Sequence, residues 1–423
     1  MELRKKKILF ITLILILFLP LIQMKTHFLS IETLNGVYEL SEKPDSLSKR
    51  WFSEAYQIEY DSYFNDHLGF RPFFVRVFNQ KNFSFFKKAP KGTAVLGTNN
   101  IPFDGRYIKT IFGYDFIGEK EIKKTLDKLI KVSNDLEKKD KHLLVVFAPN
   151  KARYYRSAIP DEYSKKDTNN YSVYKTLLNE YDINTIDFNS FFLKEKAKYD
   201  FELIPKYGIH WSNYGAYIAA DSIINYCNKN FSYHLPTYKF DSIYYTNKPT
   251  SADFDLGSVL NVFMGLGNEK YAYPFPSIVN EGKRKRKLLV ISDSFYGTLH
   301  DLGFSKDIFE LTGFWYYNRE NSGSNIKLEN IDFKQKLQET DLVILMQTEW
   351  NLYRLGFGFI EQYISEIEGA RSNYNHKQMM QIKRIKSNKK WLEKVEIQAE
   401  KRNISLDSML IRAANYVIKN QKK

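Results

Sequence analysis

The stretch Leu288-Leu289-Val290-Ile291-Ser292-Asp293-Ser294-Phe295 decides the fold. Four consecutive apolar residues give way abruptly to small and polar ones. A short apolar run bounded by turn formers is the pattern of a strand buried on both faces of a parallel sheet. Sheets of that kind place their chemistry just beyond the carboxyl ends of the strands. Ser294 falls there, before a helical turn that leaves its hydroxyl exposed and backbone N–H groups close by for an oxyanion. A serine hydroxyl is a poor nucleophile until a base takes its proton, and a third group must hold that base in one tautomer. The candidate base is His210, in Gly208-Ile209-His210-Trp211-Ser212, a loop segment ahead of a helical pattern. Each residue also has a bland reading, since many loops carry Asp-Ser and a lone loop histidine is often structural.

Working outward, residues 118–140 place Ile122, Leu126, Leu129, Ile130, Val132 and Leu136 at helical spacing. Leu143-Leu144-Val145-Val146-Phe147-Ala148-Pro149-Asn150 is a second buried strand that ends in a loop. A helix over 169–181 leads to a strand at 183–188. Ser212 caps a helix over 212–228. Further strands fall at 314–317 and 341–346. Strands alternating with helices predict an α/β sheet covered by helices on both faces. Residues 26–110 are aromatic-rich and poorly periodic, and residues 229–285 show no pattern.

The chain has 423 residues, enough for a large core and for two or three domains. Its net charge of +14 sits at the two ends. Residues 1–25 hold five basic and one acidic side chain, residues 371–423 fourteen and four, and the body is balanced at 44 of each. A polyanion-binding core is therefore not supported, and nucleic acid is not expected as a partner. Arg4-Lys5-Lys6-Lys7 precedes an apolar run from Ile8 to Met24, near the lower limit for a bilayer span, and favours an N-inside orientation. No small-residue cleavage site follows. Residues 1–25 are expected to be an uncleaved signal anchor, with a cleaved signal peptide as the alternative. A single cysteine, Cys227, excludes an intramolecular disulfide and argues against a cysteine-rich metal site.

The 30 tyrosines and 32 phenylalanines either fill the core or, in part, line a carbohydrate groove. In the C-terminal region, Leu406, Met409, Leu410, Ala413, Ala414 and Val417 mark one helix face, capped by Ser405, and Trp391, Leu392 and Val395 begin another. That basic region packs on the body, meets anionic lipid, or docks a partner. The basic run Lys283–Lys287 leads into the strand before Ser292.

These motifs resemble those of the alginate O-acetylation proteins and their relatives, bacterial SGNH-hydrolase-like proteins of the DHHW type. His210-Trp211 followed by Gly215-Ala216 resembles their Asp-x-His-Trp segment, and Ser292-Asp293-Ser294-Phe295 their Gly-Asp-Ser-Phe block. Phe64 to Arg71 is similar to their early Asp-His-x-x-x-Arg stretch, and Ala148-Pro149-Asn150-Lys151 to their Pro-x-Lys loop. The order, histidine before serine, is also theirs, and the match runs over roughly residues 50–365. The resemblance implies an SGNH-like, mostly parallel sheet with Ser294 as nucleophile and His210 as base. It implies O-acetyl transfer or acetyl-ester hydrolysis on a cell-surface or secreted polysaccharide, beside a membrane-bound O-acyltransferase. The implied location is the inner membrane, single-pass, with the body extracytoplasmic.

Two positions depart from the family. The acid should stand two residues before the histidine, where this chain has Gly208. Ser292 replaces the usual glycine and crowds the oxyanion site. The imidazole is then held by Asp200, Glu202, Asp293 or a backbone carbonyl, or acts unassisted, or the protein is a non-catalytic binding or assembly factor. Asn150 and Asn318 are candidate oxyanion donors at strand ends. Glu349 either points inward at the site or lies on the surface. Asp66, His67 and Arg71 form an ion-pair cluster or belong to the site. No metal or nucleotide motif is present, so neither a metal nor a cofactor is expected. The expected organisation is an anchor (1–25), an aromatic-rich region packing on the core (26–110), an SGNH-like domain (111–368) and a basic helical region (369–423).

Overall fold

A computed structural model describes residues 2–36, 39–45, 54–90, 92, 94–163, 168–323, 328, 331–369, 376–402 and 406–420. The chain opens with α1 (Glu2–Thr26), then α2 (Glu54–His67) and α3 (Arg71–Phe86). Short strands β1 (Val95–Leu96) and β2 (Pro102–Phe103) pair antiparallel and lead into α4 (Gly105–Ile111) and α5 (Glu119–Glu137). The first half of the central sheet follows as β3 (His142–Ala148), α6 (Lys151–Tyr154), α7 (Asn170–Glu180), β4 (Thr185–Asp187), α8 (Phe188–Glu195) and α9 (Asn213–Asn230). An antiparallel hairpin of β5 (Thr237–Thr246) and β6 (Tyr271–Val279) comes next, with α10 (Ser251–Ser258) in its connection. The sheet resumes with β7 (Lys287–Ser292), α11 (Phe295–Asp301), β8 (Glu310–Tyr316), β9 (Glu320–Asn321), α12 (Phe333–Glu339), β10 (Leu342–Thr348) and α13 (Phe359–Gly369). Three helices end it: α14 (His376–Ser387), α15 (Lys389–Lys401) and α16 (Leu406–Asn420).

The six-stranded sheet has the order β4-β3-β10-β7-β8-β9 and is parallel except for β9. β10 enters last and lies between β3 and β7, with Leu345 opposite both Val145 and Ile291. All seven β10 residues are buried, and the first five, Leu342 to Met346, read as an unbroken apolar run. The side chains alternate between two cores. Leu144, Val146, Val290, Ile344 and Met346 face α4, α8, α9 and α11, whereas Leu143, Val145, Ile291, Val343 and Leu345 face α5, α7 and α13. This is an α/β sheet with helices on both faces, as the strand pattern predicts.

Two stretches hid their structure. Residues 26–110 contain helices, and α3 was not read as one because it turns Arg76 and Asn79 inward with only Phe83 beside them, while most of its apolar side chains face outward. Residues 229–285 contain a hairpin exposed along most of β5 and along the second half of β6, which leaves little alternation. The C-terminal region has three helices rather than two, packed on a small core of Ile385, Val395 and Leu410. Ser405 lies outside the described residues. Of the early cluster, Asp66 pairs with Arg71 at 3.3 Å and accepts two bonds from Ser41, while His67 Nδ1 meets the Tyr63 carbonyl.

The start of α9 is built for close approach. Ser212 caps it by accepting from the Gly215 N–H at 2.9 Å, and the Ser212 N–H donates to the Leu203 carbonyl. A Cβ at Gly215 would stand 2.1 Å from that same carbonyl oxygen. Gly215→Ala should therefore destabilise the protein by about 1–3 kcal/mol despite alanine's better helix propensity, read as a lower denaturation midpoint.

Candidate active site

Ser294 sits one residue beyond Asp293 after the carboxyl end of β7, as the N-cap of α11, with φ −64° and ψ −14°. His210 stands two residues before the Ser212 cap. Fixing β7 and α9 on the same sheet face therefore brings the two together across 84 residues of chain. His210 Nε2 lies 2.8 Å from Ser294 Oγ. His210 Nδ1 lies 2.9 Å from Oδ2 of Asp255, on α10. An ionised carboxylate only accepts, so Nδ1 carries the proton and donates to Asp255, and Nε2 is left to accept from the Ser294 hydroxyl. Phe295 packs against the imidazole at a ring-centroid distance of 4.8 Å, with Trp211 edge-on behind it at 5.5 Å.

The group that meets His210 Nδ1 is thus Asp255, a residue the sequence reading did not single out, and not Asp200, Glu202, Asp293 or a carbonyl. Its other oxygen, Oδ1, accepts from the N–H groups of Ile209 at 2.8 Å and Leu256 at 2.7 Å. Gly208 is glycine because α10 occupies the space of a side chain. A Cβ there would meet the Ala252 carbonyl oxygen at 2.5 Å and Pro205 Cγ at 2.7 Å. The helix that fills that space delivers the carboxylate from the opposite side. Asp253, two residues earlier, holds α10 by accepting from Tyr273 at 2.6 Å and Asn213 at 3.1 Å. Burial raises the pKa of Asp253 while these bonds oppose the rise.

Lys151, at the start of α6, is fully buried and donates to the carbonyls of Lys206 and Gly208, both at 2.7 Å. The peptide linking Gly208 to Ile209 is therefore gripped at both ends, its C=O by Lys151 and its N–H by Asp255. This clamp lies one residue from His210 and fixes where the imidazole starts. The Pro-x-Lys loop was visible in the sequence without this role.

The other candidates serve the scaffold. Asp293 is buried and its Oδ2 accepts from Thr348 N–H, Thr348 Oγ1 and Asn351 Nδ2 at 2.8–2.9 Å, tying the end of β7 to the end of β10. Asn150 spends its side chain on the Ala152 N–H and the Tyr107 carbonyl, so it caps α6 rather than facing an oxyanion. Glu349 is neither on the surface nor at the site. It is wholly buried and forms two hydrogen bonds with Arg153, at 2.5 and 2.8 Å. Burial raises its pKa, against the pull of the guanidinium. Asn318 is half-buried beyond β8, with Nδ2 3.5 Å from the Phe357 carbonyl. Ser292 ends β7 fully buried between Met346 and Tyr316, and its hydroxyl has no partner among the described residues.

Burial lowers the Lys151 pKa from 10.5 to about 7, against the favourable charge of Asp255. Between those values the folded protein binds fewer protons at this site than the unfolded chain does. The Lys151 contribution to stability therefore rises with pH across that window. Lys151→Met should abolish that rise, so denaturant unfolding at pH 7 and pH 10 should show a variant deficit that widens at the higher pH.

Comparisons with known proteins show the following likenesses. The family model described as the SGNH hydrolase-like domain of the acetyltransferase AlgX matches residues 114–269, a span that includes His210 and Asp255 and ends before Ser294. Among solved structures, the O-acetyltransferase domain of Pseudomonas putida AlgJ is 13% identical, covering 66% of this chain and 99% of its own, with a TM-score of 0.41. Pseudomonas aeruginosa AlgX is 16% identical over 63% of this chain and 66% of its own, with a TM-score of 0.39. Bacillus cereus PatB1 is 13% identical over 57% and 93%, with a TM-score of 0.39. No curated protein matches the chain. Residues 114–269 of this chain are thus similar to the SGNH hydrolase-like domain of AlgX.

Proposed function

We propose that the chain is an O-acetyltransferase or acetylesterase acting on a polysaccharide through Ser294, His210 and Asp255. The observation that carries this reading is the unbroken hydrogen-bonded line from Ser294 Oγ through both imidazole nitrogens to Asp255. The match to the acetyltransferase AlgX model supports the acetyl group, and the resemblance of the motifs to the alginate O-acetylation proteins supports the polysaccharide class. In this reading Ser294 Oγ attacks the acetyl carbonyl as His210 Nε2 takes its proton. The tetrahedral adduct then collapses, the alcohol leaves with the proton from His210, and the acetyl group remains as an ester on Ser294. A second hydroxyl, from a sugar or from water, attacks the ester as His210 takes its proton; the Ser294 Oγ–acyl bond then breaks, His210 returns the proton to Ser294 Oγ, and the acetyl group leaves on the acceptor. Asp255 stabilises the imidazolium in both halves. A binding-only role drew its support from the missing acid at Gly208 and from Ser292; a carboxylate at Asp255 answers the first of these, and Ser292 remains in place at the end of β7.

The proposed location is a membrane, with the body outside the cytoplasm. α1 includes a 24-residue apolar helix, Leu3–Thr26, that is long enough to cross a bilayer and lies almost wholly outside the packed body. It serves as an anchor in this reading, and the basic cluster at residues 4–7 keeps its N-terminus inside. A membrane-bound acyl donor system is the partner that such an arrangement suits.

Turnover of an aryl acetate tests the chemistry. Ser294→Ala should lose all activity above background, and equal rates in variant and wild type would remove the enzymatic reading. Asp255→Asn should keep the fold and lower kcat by about 10⁴-fold, because the amide selects the wrong tautomer of His210. Adding Gly208→Asp to Asp255→Asn should not restore the rate, since the new side chain meets the α10 backbone.

A further inference from the structure

The helix α3 is inside out. Apart from the buried Phe83, its inward face is polar and hydrogen-bonded to the body. Arg76 donates to the carbonyls of Glu32 and Thr33, and Asn79 donates to the carbonyl of Leu260. Gln80 donates to the Met264 carbonyl and accepts from the N–H groups of Phe263 and Met264. Its outward face holds Phe73, Phe74, Val77, Phe78 and Phe85, all exposed, with Phe85 79% exposed. These recur at three- and four-residue spacing and form one stripe. Phe263 joins it from the loop after α10, 5.8 Å from Phe73. A water-facing helix has the opposite polarity, and contiguous exposed apolar surface of this kind marks an interaction face.

Two observations name the occupant. The first is position: α3 begins where α1 leaves the body. Gln23, in the last turns of α1, exchanges two hydrogen bonds with Leu29, and the Phe28 ring meets Phe70 at 6.1 Å. A Cβ on Gly69, two residues before α3, would stand 2.3 Å from the Pro20 carbonyl oxygen. If α1 spans a bilayer, its exit fixes the start of α3 at the same bilayer surface. The second is charge. No acidic residue occurs between His67 and Asp104, while Lys81, Lys87 and Lys88 are exposed along and beyond the helix. The Lys81 ammonium lies 5.2 Å from the centre of the Phe78 ring, within reach of headgroup phosphates above a buried ring.

We propose that α3 is an interfacial helix, its phenylalanine face embedded at the headgroup boundary of an anionic bilayer and its lysines meeting the lipid phosphates. This rests on the anchor reading of α1. Because Asn79 and Gln80 grip residues 260–264, which directly follow α10, the embedded helix connects through a short rigid path to Asp255. The reactive serine is thereby held at a set height over the membrane instead of swinging on a tether.

The test uses the full chain in vesicles of phosphatidylcholine and phosphatidylglycerol. Single cysteines replace Phe78, Phe85, Ile14 and Lys123 in turn and carry an environment-sensitive fluorophore, while the native Cys227 is buried and stays unlabelled. Probes at 78 and 85 should shift to the blue and be quenched by a headgroup-level lipid quencher. The probe at 14 should be quenched by a deep one, and the probe at 123 should stay aqueous. Lys81→Glu with Lys88→Glu should reduce the quenching at 78 in anionic vesicles. Aqueous probes at 78 and 85 with a buried probe at 14 would overturn the interfacial helix and leave the anchor standing. An aqueous probe at 14 would overturn both. Probes at 78 and 85 that turn blue yet escape every lipid quencher, with crosslinks between copies, would assign the face to a second chain and equally overturn the proposal.

Discussion

Everything at the site depends on the hydrogen bond from His210 Nδ1 to Asp255. A neutral imidazole has one donor and one acceptor nitrogen, and only the bond at Nδ1 decides which is which. With Asp255 accepting, Nε2 faces Ser294 with its lone pair, 2.8 Å away. Without it, the ring is free to turn its proton toward the serine, and the hydroxyl loses its base. The surrounding structure is arranged to make that bond unavoidable. Asp253 pins α10, Lys151 and Asp255 together grip the peptide ahead of His210, and Phe295 blocks the ring from behind.

The same economy of space explains the departure at position 208. A carboxylate two residues before the histidine and a helix packed on that backbone cannot coexist, because both claim the volume around the Ala252 carbonyl. This chain has the helix, and the helix carries the acid. In the proposed mechanism the task of that group falls to a carboxylate 47 residues further along, at 255 rather than 208. Geometry constrains where a charge must stand, and does not constrain which strand or loop brings it there.

How much of this was legible follows from burial. β3, β7 and β10 are buried on both faces, so their unbroken apolar runs identified the sheet and, with it, the strand end that bears Ser294. Ser212 is a capping residue placed as capping chemistry requires, so the start of α9 and the site of His210 were also readable. Asp255 was not. It lies in the connection of a hairpin whose first strand is mostly exposed, so no clear alternation flanks it, and its contact with His210 crosses 45 residues of chain. Asp293, Asn150 and Glu349 stood at strand ends as a site residue should, but burial turned each of them to internal bonding. The helix α3 escaped because its polarity is reversed.

The account comes down to one covalent bond. Incubation of the protein with an acetyl ester, rapid acid quenching and mass-spectrometric peptide mapping would find the acetyl group directly. The account predicts a single acetyl ester on Ser294, absent from Ser294→Ala and formed far more slowly in Asp255→Asn. Turnover of the ester with no acetyl on Ser294, or with acetyl on another side chain, would contradict it.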